Sequence, residues 1–247
     1  MSTSNHIWEA SGPGGVPPSG RTLGAVFVRP LWVALTFLAA FAALAVWIRG
    51  GGQPPGDVAG LAEVHRHSTR LLALLARWIT HLGDVATVGG LTLSLGGFLA
   101  WRGRRRDALR LVSSVVGAGI TAAVIKQLVE RQRPHLFPWL ISEGGYSFPS
   151  GHSTGSMALA LALAVAAWNA RPGKAIAAVA VASAAVVGLS RLELGVHYPS
   201  DVAAGWLVAG AVVLTATWLD RRLVFGRSDA VCEDETRGRA AQRTATE

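Results

Sequence analysis

Two histidines in this chain stand where residue type and spacing could do chemistry. His197 is followed four residues later by Asp201, a separation that brings two side chains together at the start of a helix. A carboxylate beside an imidazole fixes its tautomer and stabilises the imidazolium, leaving the other ring nitrogen free to attack. Pro199, between them, suits the first turn of a helix, where its missing N–H would have no helical partner. Arg191, just upstream, supplies a planar, permanently charged fork suited to phosphate oxygens. The second histidine, His152, closes the stretch Pro149-Ser150-Gly151-His152, and Lys126 and Arg133-Pro134 precede it.

Each of these residues also has an ordinary reading. A His and an Asp at a turn can simply cap a helix, and a basic residue at a membrane boundary more often snorkels than catalyses. Their convergence is what points to a site. Lys126, Arg133 and Arg191 place fixed positive charges around one point. Ser150, Gly151 and His152 offer backbone N–H groups at a helix start, where the dipole favours an anion. Gly151 lets the backbone approach a ligand with no side chain in the way. The sum is a phosphate cage built without metal, with one imidazole for the nucleophile and one for the general acid.

Such residues need elements to hold them, and the composition says which. The chain is 51% hydrophobic and only 15% charged, against roughly 25% charged in a soluble domain. The deficit lies in long apolar runs, so an all-α integral membrane protein is expected, since a spanning helix needs about 20 apolar residues. Six transmembrane helices are predicted: Leu31 to Ile48, Val85 to Trp101, Leu111 to Val129, Thr154 to Trp168, Ala175 to Leu189 and Val202 to Leu219. Between the first two, Leu61 to Ile79 carries Leu61, Val64, Leu71, Leu72, Leu75 and Ile79 at helical spacing among charged residues. That pattern predicts an amphipathic interfacial helix after the first span. Residues 1–28 and 223–247 read as disordered cytoplasmic tails flanking a membrane domain over 29–222, the first tail being rich in Gly, Pro and Ser.

The formal charge of +8 could suggest nucleic acid, but the arginines sit beside apolar segments, where bilayer orientation and anionic lipid explain them. The cluster Arg102, Arg104, Arg105 and Arg106 after the second span puts that face, and with it both termini, in the cytoplasm. The loops after the third and fifth spans then share the extracytoplasmic face of a multi-pass plasma-membrane protein. Cys232 is the sole cysteine, so neither an internal disulfide nor a thiolate metal site can form. His65, His67 and His81 lack the spacing and partners of a zinc site.

Lys126-x6-Arg133-Pro134, Pro149-Ser150-Gly151-His152 and Ser190-Arg191-x5-His197-x3-Asp201 resemble the three signature motifs of the type 2 phosphatidic acid phosphatase superfamily, in order and at its spacing. The resemblance runs from about Leu31 to Leu219 and leaves both tails out. It implies metal-independent hydrolysis of a lipid phosphate or diphosphate at the outer membrane face, with no cofactor and a substrate drawn from the outer leaflet. Polyprenyl diphosphate, phosphatidic acid and phosphatidylglycerol phosphate are the substrates it suggests. By position, His197 would form a phosphohistidine and Asp201 would hold its ring. His152 would protonate the leaving oxygen and then activate water. Lys126, Arg133, Arg191, Ser150 and the Gly151 N–H would hold the nonbridging oxygens. Three alternatives stay open: a lipid phosphotransferase using the same intermediate, a vanadium haloperoxidase, and an inactive lipid-binding or transport protein. Six spans argue against the second, and the intact His152, His197 and Asp201 argue against the third.

Overall fold

The structure, a computed structural model, describes the backbone of residues 20–168 and 171–244 and the side chains of 31–168 and 171–222. The described residues form helices joined by loops and no strand. They are α1 (Gly20–Arg49), α2 (Asp57–His67), α3 (Arg70–Ile79), a 3-10 turn (Thr80–Gly83), α4 (Val85–Trp101), α5 (Arg105–Val129), α6 (Gly151–Ala167), α7 (Gly173–Glu193) and α8 (Pro199–Thr244). The expected tail over residues 1–28 lies mostly outside the described residues, while the α8 backbone stays helical through 223–244.

Among the described residues four helical stretches are long and apolar enough to cross a membrane: Leu31–Arg49, Arg105–Val129, Gly173–Glu193 and Pro199–Arg222. A fifth arises if Arg70–Gly83 and Val85–Trp101, bent by 48° at Asp84, count as one broken span. Each of the six apolar runs is helical, but α4 and α6 are only 17 residues long, near the lower limit for a straight crossing. The amphipathic stretch also differs from the expectation. It divides at Ser68-Thr69 into α2 and α3, because Thr69 starts a new helix by accepting the Leu72 N–H on its hydroxyl at 3.2 Å, a standard N-cap bond.

α6 packs against α5, α7 and α8, while α1 lies along α8 and α4 along α5. Close approach is achieved with small residues: Ala118 on α5, Ala158 on α6 and Ala209 on α8 are completely buried. Gly205 on α8 shows how tight the α6–α8 seam is. A Cβ there would meet the Ser150 carbonyl oxygen and Thr154 Oγ1 at 2.9 Å and Ser153 Cβ at 3.1 Å, so the seam closes only around glycine. Large apolar side chains such as Trp32, Val85, Leu93, Trp101, Leu109 and Val179 point outward on α1, α4, α5 and α7, a surface that suits lipid rather than water. At the end of the bundle bearing the arginine cluster, Arg110 bonds Asp107 and reaches Asp220 of α8 at 3.0 Å. Arg104 donates to the Ala166 carbonyl at the C-terminus of α6 at 2.6 Å, where a cation complements the helix dipole.

Candidate active site

The loop between α7 and α8 is shaped by a helix stop and a helix start only a few residues apart. α7 ends in the left-handed turn that glycine favours: Gly195 has φ +74°, its N–H reaches Leu192 O at 2.9 Å, and the Val196 N–H reaches Arg191 O at 3.3 Å. These are the paired bonds of a Schellman motif. The chain reverses, and Pro199 opens α8 as its first residue. His197 is caught between the two and is almost completely buried.

The partners of His197 decide its tautomer. Arg133 Nη1 lies 3.1 Å from His197 Nε2, and because a guanidinium can only donate, Nε2 must carry a lone pair. The ring proton therefore sits on Nδ1, which faces Asp201 Oδ2 at 3.4 Å. That approach is too long for a formed bond, and among the described residues Nδ1 has no other partner, a looseness typical of catalytic pairs before substrate binds. Burial pushes the His197 imidazole down to about 4, outweighing the opposing pull of Asp201, with Arg133 and Arg191 adding to the fall. The group is thus a neutral imidazole whose Nε2 lone pair accepts from the Arg133 guanidinium.

Arg133 is held by the carbonyls of Gly145 at 3.1 Å, Val196 at 2.9 Å and Gly144 at 2.9 Å. Arg191 is completely buried; its Nη1 donates to Thr80 Oγ1 at 2.6 Å and its Nη2 pairs with Glu143. Among the described residues its Nε has no partner, an orphaned donor of the kind an incoming anion would satisfy. Glu143 bridges the two arginines, its second oxygen 3.5 Å from Arg133. Burial raises the Glu143 carboxyl, but the Arg191 and Arg133 guanidiniums overcome this and hold it below the usual range.

The other expected residues fall around this core. Ser150 is the N-cap of α6: its hydroxyl accepts from the Ser153 N–H at 3.4 Å and the Ser153 hydroxyl at 3.0 Å, and its N–H donates to Asp201 O at 3.0 Å. Gly151 is the first residue of α6, and the space a Cβ would enter there is open. Lys126, in the last turn of α5, donates to the Tyr146 carbonyl at 2.6 Å. His152 packs its ring over Gly83 of the 3-10 turn and places Nε2 2.9 Å from Asp84 Oδ1. The same turn carries Thr80, the partner of Arg191, so it ties the His152 corner to the guanidinium cluster. Of the three other histidines considered for zinc, His65 stacks on Phe137, His67 faces Glu63 and His81 pairs with Asp84. Among the described residues no group of His, Cys, Asp or Glu is arranged to hold a metal ion.

Five residues at or beside the site are not singled out by sequence reasoning: Glu143, Asp84, Thr80, and Asp57 with Arg131, which pair with each other at 2.6 Å beside Asp201. Four of them lie outside the motifs and Arg131 lies in the spacer of the first; an acidic residue next to an expected phosphate cage is the one available signal.

With this geometry in place, comparison with known proteins decides the family. The model of the PAP2 superfamily matches residues 107–224. A decaprenylphosphoryl-5-phosphoribose phosphatase of Mycobacterium tuberculosis is 37% identical over 165 residues, which is 65% of this chain and 88% of that protein. This chain belongs to the PAP2 superfamily. A phosphatidylglycerophosphatase B of Bacillus subtilis is 31% identical over 133 residues, 52% of this chain and 65% of that relative. The crystal structure of a transmembrane PAP2 type phosphatidylglycerolphosphate phosphatase from Bacillus subtilis superposes with a TM-score of 0.67 at 25% identity, covering 77% of this chain and 97% of that one. The PAP2 match spans Arg133, His152, Arg191, His197 and Asp201 together, and the lipid-facing helices belong to a membrane protein.

Proposed function

We propose that the chain is a phosphatase acting on a lipid phosphate through a phosphohistidine intermediate. The observation that carries this reading is the His197 ring, with a carboxylate on the Nδ1 side and Arg133 at 3.1 Å on the Nε2 side. In that setting Nε2 attacks phosphorus while the bond to the lipid oxygen breaks. His152 gives its proton to the leaving oxygen, then takes one from the water that splits the P–N bond and frees phosphate. Asp201 stabilises the charge that develops on His197, and the Asp84 carboxylate, 2.9 Å away, does the same for protonated His152. Lys126, Arg133, Arg191 and the N-terminus of α6 hold the nonbridging oxygens, which suits a reaction governed by positioning and charge stabilisation.

In this reading α4 and α6 also cross the bilayer, giving six spans, and the arginine cluster keeps that face and both termini in the cytoplasm. The site then opens to the outer leaflet of the plasma membrane. The relative matched along 88% of its length is named for a polyprenyl-linked sugar phosphate, which favours a phosphate monoester on a polyprenyl carrier over a diacyl lipid. The test is phosphate release by purified chain from a panel holding a polyprenylphosphoryl pentose phosphate, undecaprenyl diphosphate, phosphatidic acid and phosphatidylglycerol phosphate. The sugar-phosphate lipid should be turned over fastest, and His197→Ala should release no phosphate from any of them. Retained turnover in that variant removes His197 as nucleophile, and equal rates across the panel remove the substrate preference.

A further inference from the structure

Beside the motif residues lies a buried charge cluster that they do not include. Arg131 sits two positions before Arg133, in the loop after α5. Its Nη1 donates to Asp201 Oδ1 at 2.6 Å and to Ser200 Oγ at 2.7 Å, and its Nη2 donates to Asp57 Oδ2 at 2.6 Å. The guanidinium also covers the Tyr198 ring, 4.2 Å from its centroid. Asp57 is the first residue of α2 and only 1% exposed. It accepts the Ser200 N–H at 2.9 Å and the Ser200 hydroxyl at 2.6 Å. Gly56 delivers it there, turning the chain with φ +87° after Pro54-Pro55, a conformation that side chains resist.

We infer that Arg131, clamped by Asp57, is a positioning residue that fixes the Asp201 carboxylate against His197. This rests on the phosphatase reading. A carboxylate held by one donor can swing about its Cβ–Cγ bond. Asp201 cannot, because Arg131 takes Oδ1 from the loop after α5 while the Tyr198 N–H takes Oδ2 at 2.9 Å from the helix start. Oδ2 is left aimed at His197 Nδ1. The charges complete the argument. A lone arginine would draw Asp201 toward itself and weaken its hold on the ring, and Asp57 offsets this by sharing the same guanidinium. Three desolvated charges are a poor way to gain stability, since a neutral, well-packed replacement is often as stable or more so. A purely structural clamp between α2 and α8 would therefore need no ions.

The test compares the parent with Arg131→Lys and with the double variant Asp57→Asn/Arg131→Met, as full chains in detergent on the lipid phosphate the parent prefers. The double change removes the Asp57 and Arg131 charges together, and Asp201 keeps the Tyr198 N–H at 2.9 Å and the His197 ring as its partners. It should melt close to the parent yet lose about a hundredfold in kcat, the scale set by misplacing a reacting group by roughly 1 Å. KM, and competitive inhibition by inorganic phosphate, should stay within about threefold, because Lys126, Arg133 and Arg191 are untouched. Arg131→Lys keeps the charge but not the fork and should fall between the two. A double variant with kcat within about threefold of the parent overturns the inference. So does an equal loss of phosphate inhibition, which would mark collapse of the whole site. A parent that releases no phosphate overturns the phosphatase reading as well.

Discussion

Gly205→Ala tests whether the α6–α8 seam sets the catalytic geometry. The new methyl would lie 2.9 Å from the Ser150 carbonyl oxygen and from Thr154 Oγ1. An ordinary carbon–oxygen contact is about 3.4 Å or more, so the helices must part by about half an ångström. The backbone carbonyl cannot swing aside as a long side chain would. Strain of this kind typically costs about 1–3 kcal/mol. The displacement also falls where it matters, because the Ser150 N–H bonds Asp201 O at 3.0 Å and thereby couples the start of α6 to the start of α8. Parting the helices moves His152 relative to His197, and by the scale of about a hundredfold per ångström kcat should drop by roughly tenfold. The control is Gly117→Ala, whose methyl would meet only Val212 Cγ1 at 3.4 Å, an ordinary contact. Lipid phosphatase rates and thermal unfolding in detergent read both variants. If Gly205→Ala matches Gly117→Ala in rate and melting temperature, the seam does not position the site.

The acidic limb of kcat/KM, corrected for substrate ionisation, should lie near pH 4 rather than 6.5, because burial holds His197 down while Asp201 opposes and Arg133 and Arg191 assist. The same shift makes the unfolded chain bind a proton that the folded chain refuses between those values, so stability should fall as pH drops from 6.5 toward 4; a rate that halves near 6.5 contradicts this. Phosphate release should be unchanged after dialysis against EDTA, since cationic side chains supply the charge that a metal would otherwise bring; a strict magnesium requirement contradicts the metal-free cage. Asp84→Asn should lower kcat about 10- to 100-fold with little change in KM, by removing the charge that stabilises protonated His152. A matching rise in KM would assign Asp84 to substrate binding instead.

The motifs were legible because their chemistry and their local structure coincide. Pro199 opens α8, Gly195 ends α7, and the four-residue step from His197 to Asp201 brings the imidazole to its carboxylate. The helical class followed from apolar run length alone. What the sequence could not show was pairing across long separations. Glu143 meets Arg191 across 48 residues and Asp57 meets Ser200 across 143, and no periodicity reports such contacts. Arg131 illustrates the limit best: only two residues from Arg133 in the chain, it turns toward a different carboxylate. The break at Ser68-Thr69 was hidden for another reason. The apolar positions on either side keep helical phase, so the pattern runs on through a hydroxyl cap that ends one helix and starts the next.

Glu143 holds both Arg133 and Arg191, and so in the resting protein the proposed cage already contains an anion of its own. The arginines are kept from repelling each other by a tethered stand-in. On the phosphatase reading an arriving headgroup competes with that carboxylate for the two guanidiniums, and the same carboxylate is placed to return once phosphate is freed. Binding then becomes an exchange of one negative group for another. Such an exchange discriminates by charge, because a singly charged visitor gains little over the occupant it displaces while a dianionic phosphate gains much.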